Sequence, residues 1–453
     1  VFAWLANLAR VPELRRRLLF TASVLAVYRF GSWLPAPGVD PTAAAHFVQS
    51  NGSTIFGLLN LLSGSSLSRL SVFALGIVPY VTASIVIQLL TGVVPVLKQL
   101  QQEGEAGYAR LTQYTRYATI GLAAAQATAY GYIFVREGAL HIDAGRFAIV
   151  VLTLTAGTAL LMWLGEQITR RGVGNGIAIL ILASILASAP TAIRAWLAGT
   201  ATERVFFPIA ALLVVVSVVF VQDGLRKIPV QYARRTLGRR TVGGSSTYMP
   251  LRVNMAGVIP VIFAAALLAI PPTLAGFVPS TATFVDRYVQ GGSTPYLAGE
   301  ALLIVAFTFF YTRVQFDPDD QADNLRRHGG YVPGIRPGRP TAGYLGRVVR
   351  RLTLPGGLFL AAVAVAPCVF THHAHLSQAT SRALGGTSVL IVVGVALDTV
   401  RQMESQMTLG RHEGFLRRRD ARPAPVQRND RGARPSHTPD LRTRRVSPRN
   451  VNG

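Results

Sequence analysis

The sequence predicts an all-α, multi-pass membrane protein of ten crossings, and three observations carry that prediction. Half of the 453 residues are hydrophobic and only 15% are charged, which is too apolar and too long for one ordinary soluble core. Ten apolar runs approach the roughly 20 residues that span a bilayer: they lie near 18–34, 70–90, 117–135, 147–167, 176–193, 205–221, 254–276, 297–314, 352–370 and 385–403. The formal charge of +24 is also sided. Segments 1–17, 91–116, 168–175, 222–252, 313–351 and 401–453 together carry +24, whereas 35–69, 136–146, 194–204, 277–296 and 371–384 carry +2. That asymmetry places both termini in the cytoplasm and appears only with ten crossings. It also accounts for the basic charge without a nucleic-acid substrate.

Taken in order, the N-terminal stretch is amphipathic and basic at Arg15–Arg17, and the first apolar run lacks the small-residue cleavage site of a signal peptide. LPAPGVD at 34–40 is a Pro/Gly turn out of the first crossing. Residues 54–90 then form a short apolar piece, a Ser/Gly break at Ser63–Ser66, and a long apolar piece. Ile55–Leu62 would span only about 12 Å as a helix and cannot cross. Broken backbone at membrane depth is tolerated only where protein or a water-filled cavity satisfies its polar groups. In the long piece Ile77 and Val81 stand one turn apart, as Ile177 and Ile181 do farther on.

The polar stretch 98–117 predicts a short cytoplasmic turn. Gly172, Gly174 and Gly176 bracket another tight turn, and no strand precedes them, so GVGNG is not a nucleotide loop. Loop 222–252 contains IPVQYARR, able to pair as a strand before a basic GRR turn. Asp317, Asp319 and Asp320 lack the glycine and terminal glutamate of a calcium loop at their spacing. His372, His373 and His375 read as solvated loop histidines, and Cys368, the single cysteine, as a small buried hydrophobe that can form no intrachain disulfide. The Arg/Pro/Asn/Asp-rich tail from about Arg417 has no apolar periodicity and is expected to be disordered.

Three strings carry a family resemblance. They are SGSSLSRLSVFALGIVPYVTASIVIQLL at 63–90, LGEQITRRGVGNGIAILI at 164–181, and FDPDDQADNLRRHGGYVPGIRPGRPTAGYL at 316–345. With EGEAGYARLTQYTRY at 103–117 and VNMAGVIPVIFAA at 253–265 they resemble the SecY family of protein-translocation channels, in order over roughly residues 8–416. The resemblance implies two pseudo-symmetric five-helix halves, 1–193 and 205–416, joined by an external hinge at 194–204. Between them it implies an hourglass pore, opening across the membrane and sideways between the second and seventh helices. The letters themselves show no internal repeat, so that symmetry is carried over from the family.

By resemblance the pore ring is Ile77, Val81, Ile177, Ile181, Ile262 and Ile391. The plug is a half-helix within 55–67, with Ile55, Phe56, Leu58, Leu59, Leu62, Ser63 and Gly64, and the lateral gate contains Thr82, Gln126 and Asn254. Arg239, Arg240 and Arg336 match contacts to a ribosome or to the SecA motor ATPase. The small subunits SecE and SecG, unfolded precursors with their signal sequences, and membrane lipid complete the implied partners. No cofactor, metal or catalytic residue is implied. On hydropathy alone a secondary transporter with broken helices fits as well, but it should gather ionisable residues at mid-membrane. Arg29, Glu166, Glu300 and Asp398 fall near expected helix ends instead.

Overall fold

The computed structural model describes residues 12–50, 60, 63–136, 144–232, 235–237, 240–242, 246–268, 270–271, 293–374 and 386–420. All ten expected crossings fall on helices. In chain order these are α1 (Pro12–Gly31), α2 (Pro41–Ser50), α3 (Val78–Val93), α4 (Pro95–Gln102), α5 (Glu105–Arg136), α6 (Ala144–Arg171), α7 (Gly176–Ala198) and α8 (Ala201–Asp223). They continue as α9 (Ile259–Leu268), α10 (Thr294–Gln315), α11 (Pro318–Arg327), α12 (Arg339–Ala374) and α13 (Gly386–Asp420). Among the described residues five helices are by themselves long and apolar enough to cross a membrane, or six if α3 and α4, bent by 102°, form one broken span. The chain divides into two compact units, 1–404 and 405–453. The second is described over 405–420, which is helical.

Five short strands interrupt the helical plan. β1 (Leu225–Tyr232), β4 (Ser246–Arg252) and β5 (Gly330–Tyr331) form one antiparallel sheet with β1 in the middle; β2 (Arg235–Leu237) and β3 (Arg240–Val242) form a hairpin. The strand read from IPVQYARR is therefore present as part of β1. Loop 313–351 is not a loop. α10 runs to Gln315, Asp317 caps α11 by accepting the Asp319 N–H at 2.9 Å, and Pro318 opens that helix. Ile228, Val230 and Leu251 from the sheet pack with Phe316, Leu325, Val332, Leu345 and Val349 as a core of their own.

Other boundaries also differ from expectation. The polar turn at 98–117 is mostly α4 and α5, and the connection 194–204 is helical except at Gly199 and Thr200. Helix α13 continues through 420, past the expected start of the tail, and 421–453 lie outside the described residues. So do Ile55, Phe56, Leu58, Leu59 and Leu62 of the expected plug, and Arg239.

The large core of unit 1 draws on every crossing among the described helices, α12 contributing its later part, and backbones approach closely at glycines within it. A Cβ on Gly157 of α6 would lie 1.9 Å from the Val72 carbonyl oxygen, and one on Gly176 would lie 1.9 Å from the Gly165 carbonyl oxygen. These backbones touch where no side chain fits.

Candidate pore and lateral gate

The second and seventh crossings begin in the same way. The backbone stays non-helical through Ile77 and through Val258; α3 starts at Val78 and α9 at Ile259, each with proline, Pro79 or Pro260, in its first turn. Two residues ahead of each helix stands a glycine with positive φ, Gly76 at 60° and Gly257 at 63°, a conformation that costs other residues about 1–2 kcal/mol. The first helical bonds also match. Tyr80 and Val81 donate to Ile77 O, as Val261 and Ile262 donate to Val258 O. In this alignment of G-I-V-P with G-V-I-P, Val81 corresponds to Ile262 and Ile77 to Val258. Val258 was not among the expected ring residues; the repeated Gly-x-x-Pro is the signal that could have found it.

Of the ring candidates, Ile77, Val81, Ile181, Ile262 and Ile391 are buried members of the large apolar core of unit 1, as is Val258, and half-buried Ile177 packs against that core. They come from the starts of α3, α7 and α9 and from α13. Asn175 positions Ile177 by accepting its N–H at 3.1 Å as the cap of α7.

Ahead of α3 the interrupted backbone is buried and satisfied by protein. Ser63, Ser66, Leu67, Leu70 and Ser71 are almost inaccessible. Tyr28 Oη donates to Ser63 O at 3.3 Å and lies 2.6 Å from Ser184 Oγ, and Arg29 Nη1 donates to Gly64 O at 3.3 Å. Ala36 N donates to Leu70 O, and Val72 N to Leu34 O, each at 3.0 Å. Ser63 and Gly64 are thus held between α1 and α7, at the point where the expected plug joins the second crossing.

Helix α3 packs between α5 and α9, which brings the elements bearing the gate residues side by side. Thr82 and Gln126 are buried, with the Thr82 hydroxyl donating to Val78 O at 3.0 Å. Asn254 Nδ2 donates to Gly257 O at 2.9 Å and braces the turn, while Asn254 Oδ1 and Gln88 Oε1 are buried without a partner among the described residues. A dry gate would not leave such atoms unmet without cost.

The ionisable residues do not converge. Arg29 also approaches the Trp33 ring at 5.7 Å; Glu166 pairs with Arg116; Asp398 lies 4.0 Å from both Arg252 and Arg401. Glu300 is buried in α10, six residues from its start. A transporter site would bring such groups to one point. Near the sheet Arg336 is exposed, with its carbonyl accepting the Thr341 hydroxyl at 2.8 Å, and Arg240 lies in β3. Outside the membrane helices Asp40 accepts from the Thr42 hydroxyl at 2.7 Å and the Thr42 N–H at 2.9 Å. Those two bonds hold its carboxyl below the ordinary carboxylate range.

The interrupted, buried backbone ahead of α3 and the long apolar helices packed around it fit a multi-pass membrane channel. The description of the SecY family matches residues 71–400. A curated relative from Streptomyces galbus, "Protein translocase subunit SecY", is 46% identical over 91% of this chain and 99% of its own length. The solved structure titled "The structure of a protein conducting channel" superposes with a TM-score of 0.60 at 20% identity, over 87% of this chain and 92% of that one. "Sec61 in the Canine ribosome-channel complex from the endoplasmic reticulum" gives 0.58 at 19% identity, with the same shares. This chain belongs to the SecY family of protein-translocase subunits.

Proposed function

We propose that this chain is the protein-conducting channel of a bacterial Sec translocase, passing unfolded secretory chains across the cytoplasmic membrane and releasing transmembrane segments sideways into lipid. One observation carries the reading: the second and seventh crossings start alike and their helices α3 and α9 pack together, with the branched aliphatic ring candidates of α3, α7, α9 and α13 in the apolar core around them. Such a ring supplies bulk without polar atoms. It excludes water when empty and deforms around a passing polymer of any sequence, which a charged or hydrogen-bonding filter would not do. Ile77, Val81, Ile177, Ile181, Ile262 and Ile391 form this constriction, and Ser63 and Gly64 anchor the plug beneath it.

Thr82, Gln126 and Asn254 line the lateral gate, where the unpaired amide and carbonyl oxygens accept water or a passing polar group. A signal helix gains about 0.3–0.6 kcal/mol per Leu, Ile or Phe transferred to lipid, so roughly ten such residues supply several kcal/mol toward parting α3 from α9. Hydrophilic segments gain nothing and continue through the pore. The charge asymmetry sets both termini in the cytoplasm, and the halves 1–193 and 205–416 meet at 194–204. The basic cytoplasmic surface with Arg239, Arg240 and Arg336 docks a ribosome or the SecA motor, because guanidinium suits bidentate phosphate and carboxylate contacts. SecE and SecG complete the membrane assembly, and the energy comes from the docked partner.

Ile262→Asn tests the ring. A polar amide wets the constriction and weakens the closed state, so ion leak should rise and precursors with defective signal sequences should pass. In a merely packed core the same amide would be unsatisfied at a cost of about 1–3 kcal/mol, and the variant would accumulate poorly and export less of everything. Conductance of reconstituted channels, beside export of a signal-defective precursor normalised to channel amount, separates the two. Unchanged leak and unchanged stringency at normal abundance would remove Ile262 from the ring.

A further inference from the structure

One face of α13 carries Ile391, Gly394, Asp398 and Arg401, at the three- and four-residue spacings that line up along a helix. Its lower part is seated on the segment that leads into α9. A Cβ on Gly394 would lie 2.1 Å from Val258 Cγ1 and 2.9 Å from Gln222 Nε2. Val258 therefore occupies the space that any other residue at 394 would need. One turn farther along, Asp398 Oδ1 is 4.0 Å from Arg252 Nη1 at the end of β4, and a Cβ on Gly257 would sit 3.4 Å from Asp398 Oδ2. Arg401 then closes the set: it is 4.0 Å from Asp398, pairs with Asp223, and donates to Gln222 O at 2.9 Å. An arginine at the last turn of α8 is well placed for that helix's unpaired carbonyls.

We infer that Gly394 and Asp398 are positioning residues for the gate. They form a two-point latch, one steric and one electrostatic, that holds residues 252–258 against α13 and thereby sets how easily α9 leaves α3. The inference rests on the reading of this chain as a gated channel. Besides the pairing of Arg252 with Leu225 in the sheet and the contact of Gly356 with Val253, Val253 N→Gly224 O at 2.9 Å is the single backbone–backbone bond donated by residues 253–257 among those described. The buried Gln222 amide has neither of its polar atoms satisfied among the described residues, so the neighbourhood is held by shape and charge and not by a closed hydrogen-bond network. Asp398 and Arg252 are about half exposed. Such a pair is weak enough to break in each gating event.

The test uses the full chain with its native membrane partners, reconstituted in vesicles. Asp398→Asn should raise resting ion leak about two- to fivefold, the range expected for one partly exposed ion pair, and should admit signal-defective precursors. The leak should be larger at low salt in the unmodified difference and shrink as salt screens the pair. Arg252→Gln should raise leak by a similar factor, and adding it to Asp398→Asn should raise leak little further, a non-additivity that a residue needed only for folding would not show. Gly394→Ala should displace Val258 and raise leak further. Unchanged leak and stringency in Asp398→Asn at normal abundance would overturn the latch. If Asp398→Asn accumulates poorly, a short thiol cross-linker is applied to Arg252→Cys with Asp398→Cys in a Cys368→Ala background. Full cross-linking should block lateral release reversibly, and undiminished release would overturn the latch. Absence of any protein-dependent conductance in the unsubstituted channel would instead refute the channel reading itself.

Discussion

The stretches leading into α3 and α9 start their helices alike and are held differently. Before α3, residues 65, 66 and 69–72 donate backbone hydrogen bonds, to Asn60, Leu34 and carbonyls of the stretch itself, and Tyr28 and Arg29 reach in from α1. Before α9, side chains do most of the holding, through Asn254 on Gly257, Val258 on Gly394 and Arg252 near Asp398. Backbone bonds to several elements must all be broken together, whereas a steric seat and a partly exposed ion pair yield singly. On the proposed reading of these crossings as the two sides of a gate, the comparison teaches that one side is a fixed jamb and the other is the door.

The largest way to break the comparison is to disturb the jamb at its tightest point. Gly157→Val would drive a side chain into the Val72 backbone, where a Cβ already falls 1.9 Å from the carbonyl oxygen. A backbone cannot give as a side chain tip does, so a loss of about 3 kcal/mol or more is expected, read as a collapse in folded channel recovered in detergent. Normal recovery would mean that 72–77 moves freely.

A smaller effect is expected from Tyr28→Phe, which removes the hydroxyl shared by Ser63 O and Ser184 Oγ. About 1–2 kcal/mol of local stability should be lost, seen as faster amide exchange at Ser66–Val72 with no change at Met255–Gly257. In the unsubstituted chain the amides of 255–257 should already exchange faster than those of 70–72. Equal rates would erase the distinction between jamb and door.

The smallest effect belongs to Asp40, on the loop that feeds the jamb. Its carboxyl is depressed below the ordinary value of about 3.9 by the Thr42 hydroxyl and N–H. A lowered folded pKa means the stabilisation is present above the ordinary value and is lost as pH falls through the depressed one. Exchange at Thr42 and Ala43, followed from pH 6 to pH 3 and corrected for intrinsic rates, should lose protection at the acid end, and Asp40→Ala should flatten that dependence.

Much of this fold was legible because apolar run length is a direct consequence of the bilayer, and each of the ten runs overlaps a helix among the described residues. Helix starts were misplaced where an apolar run hid a turn. Residues 70–77 are as hydrophobic as a helix, and the real start is marked by Pro79, as the start at Ile259 is by Pro260. The small core beside the sheet was missed because Ile228, Leu251, Leu325 and Leu345 are scattered among charges and meet only in three dimensions. Helix α11 was readable from its Asp–Pro opening, acidic first turn and basic last turn. The contact of Gly394 with Val258 was not readable, since no local pattern tells which glycine faces a neighbour.

Helix α12 joins the two cores. Leu345 and Val349 belong to the one beside the sheet, and Leu360, Ala361 and Ala364 to the large one. From Leu345 to Leu360 is about 22 Å along the axis. Between them Pro355 deletes one rung of the helix's hydrogen-bond ladder, and the next residue, Gly356, lies so near the gate segment that a Cβ there would be 2.8 Å from Val253 O. Mechanically this is one continuous rod with a softened joint, and the joint bears on Val253, one residue from Asn254.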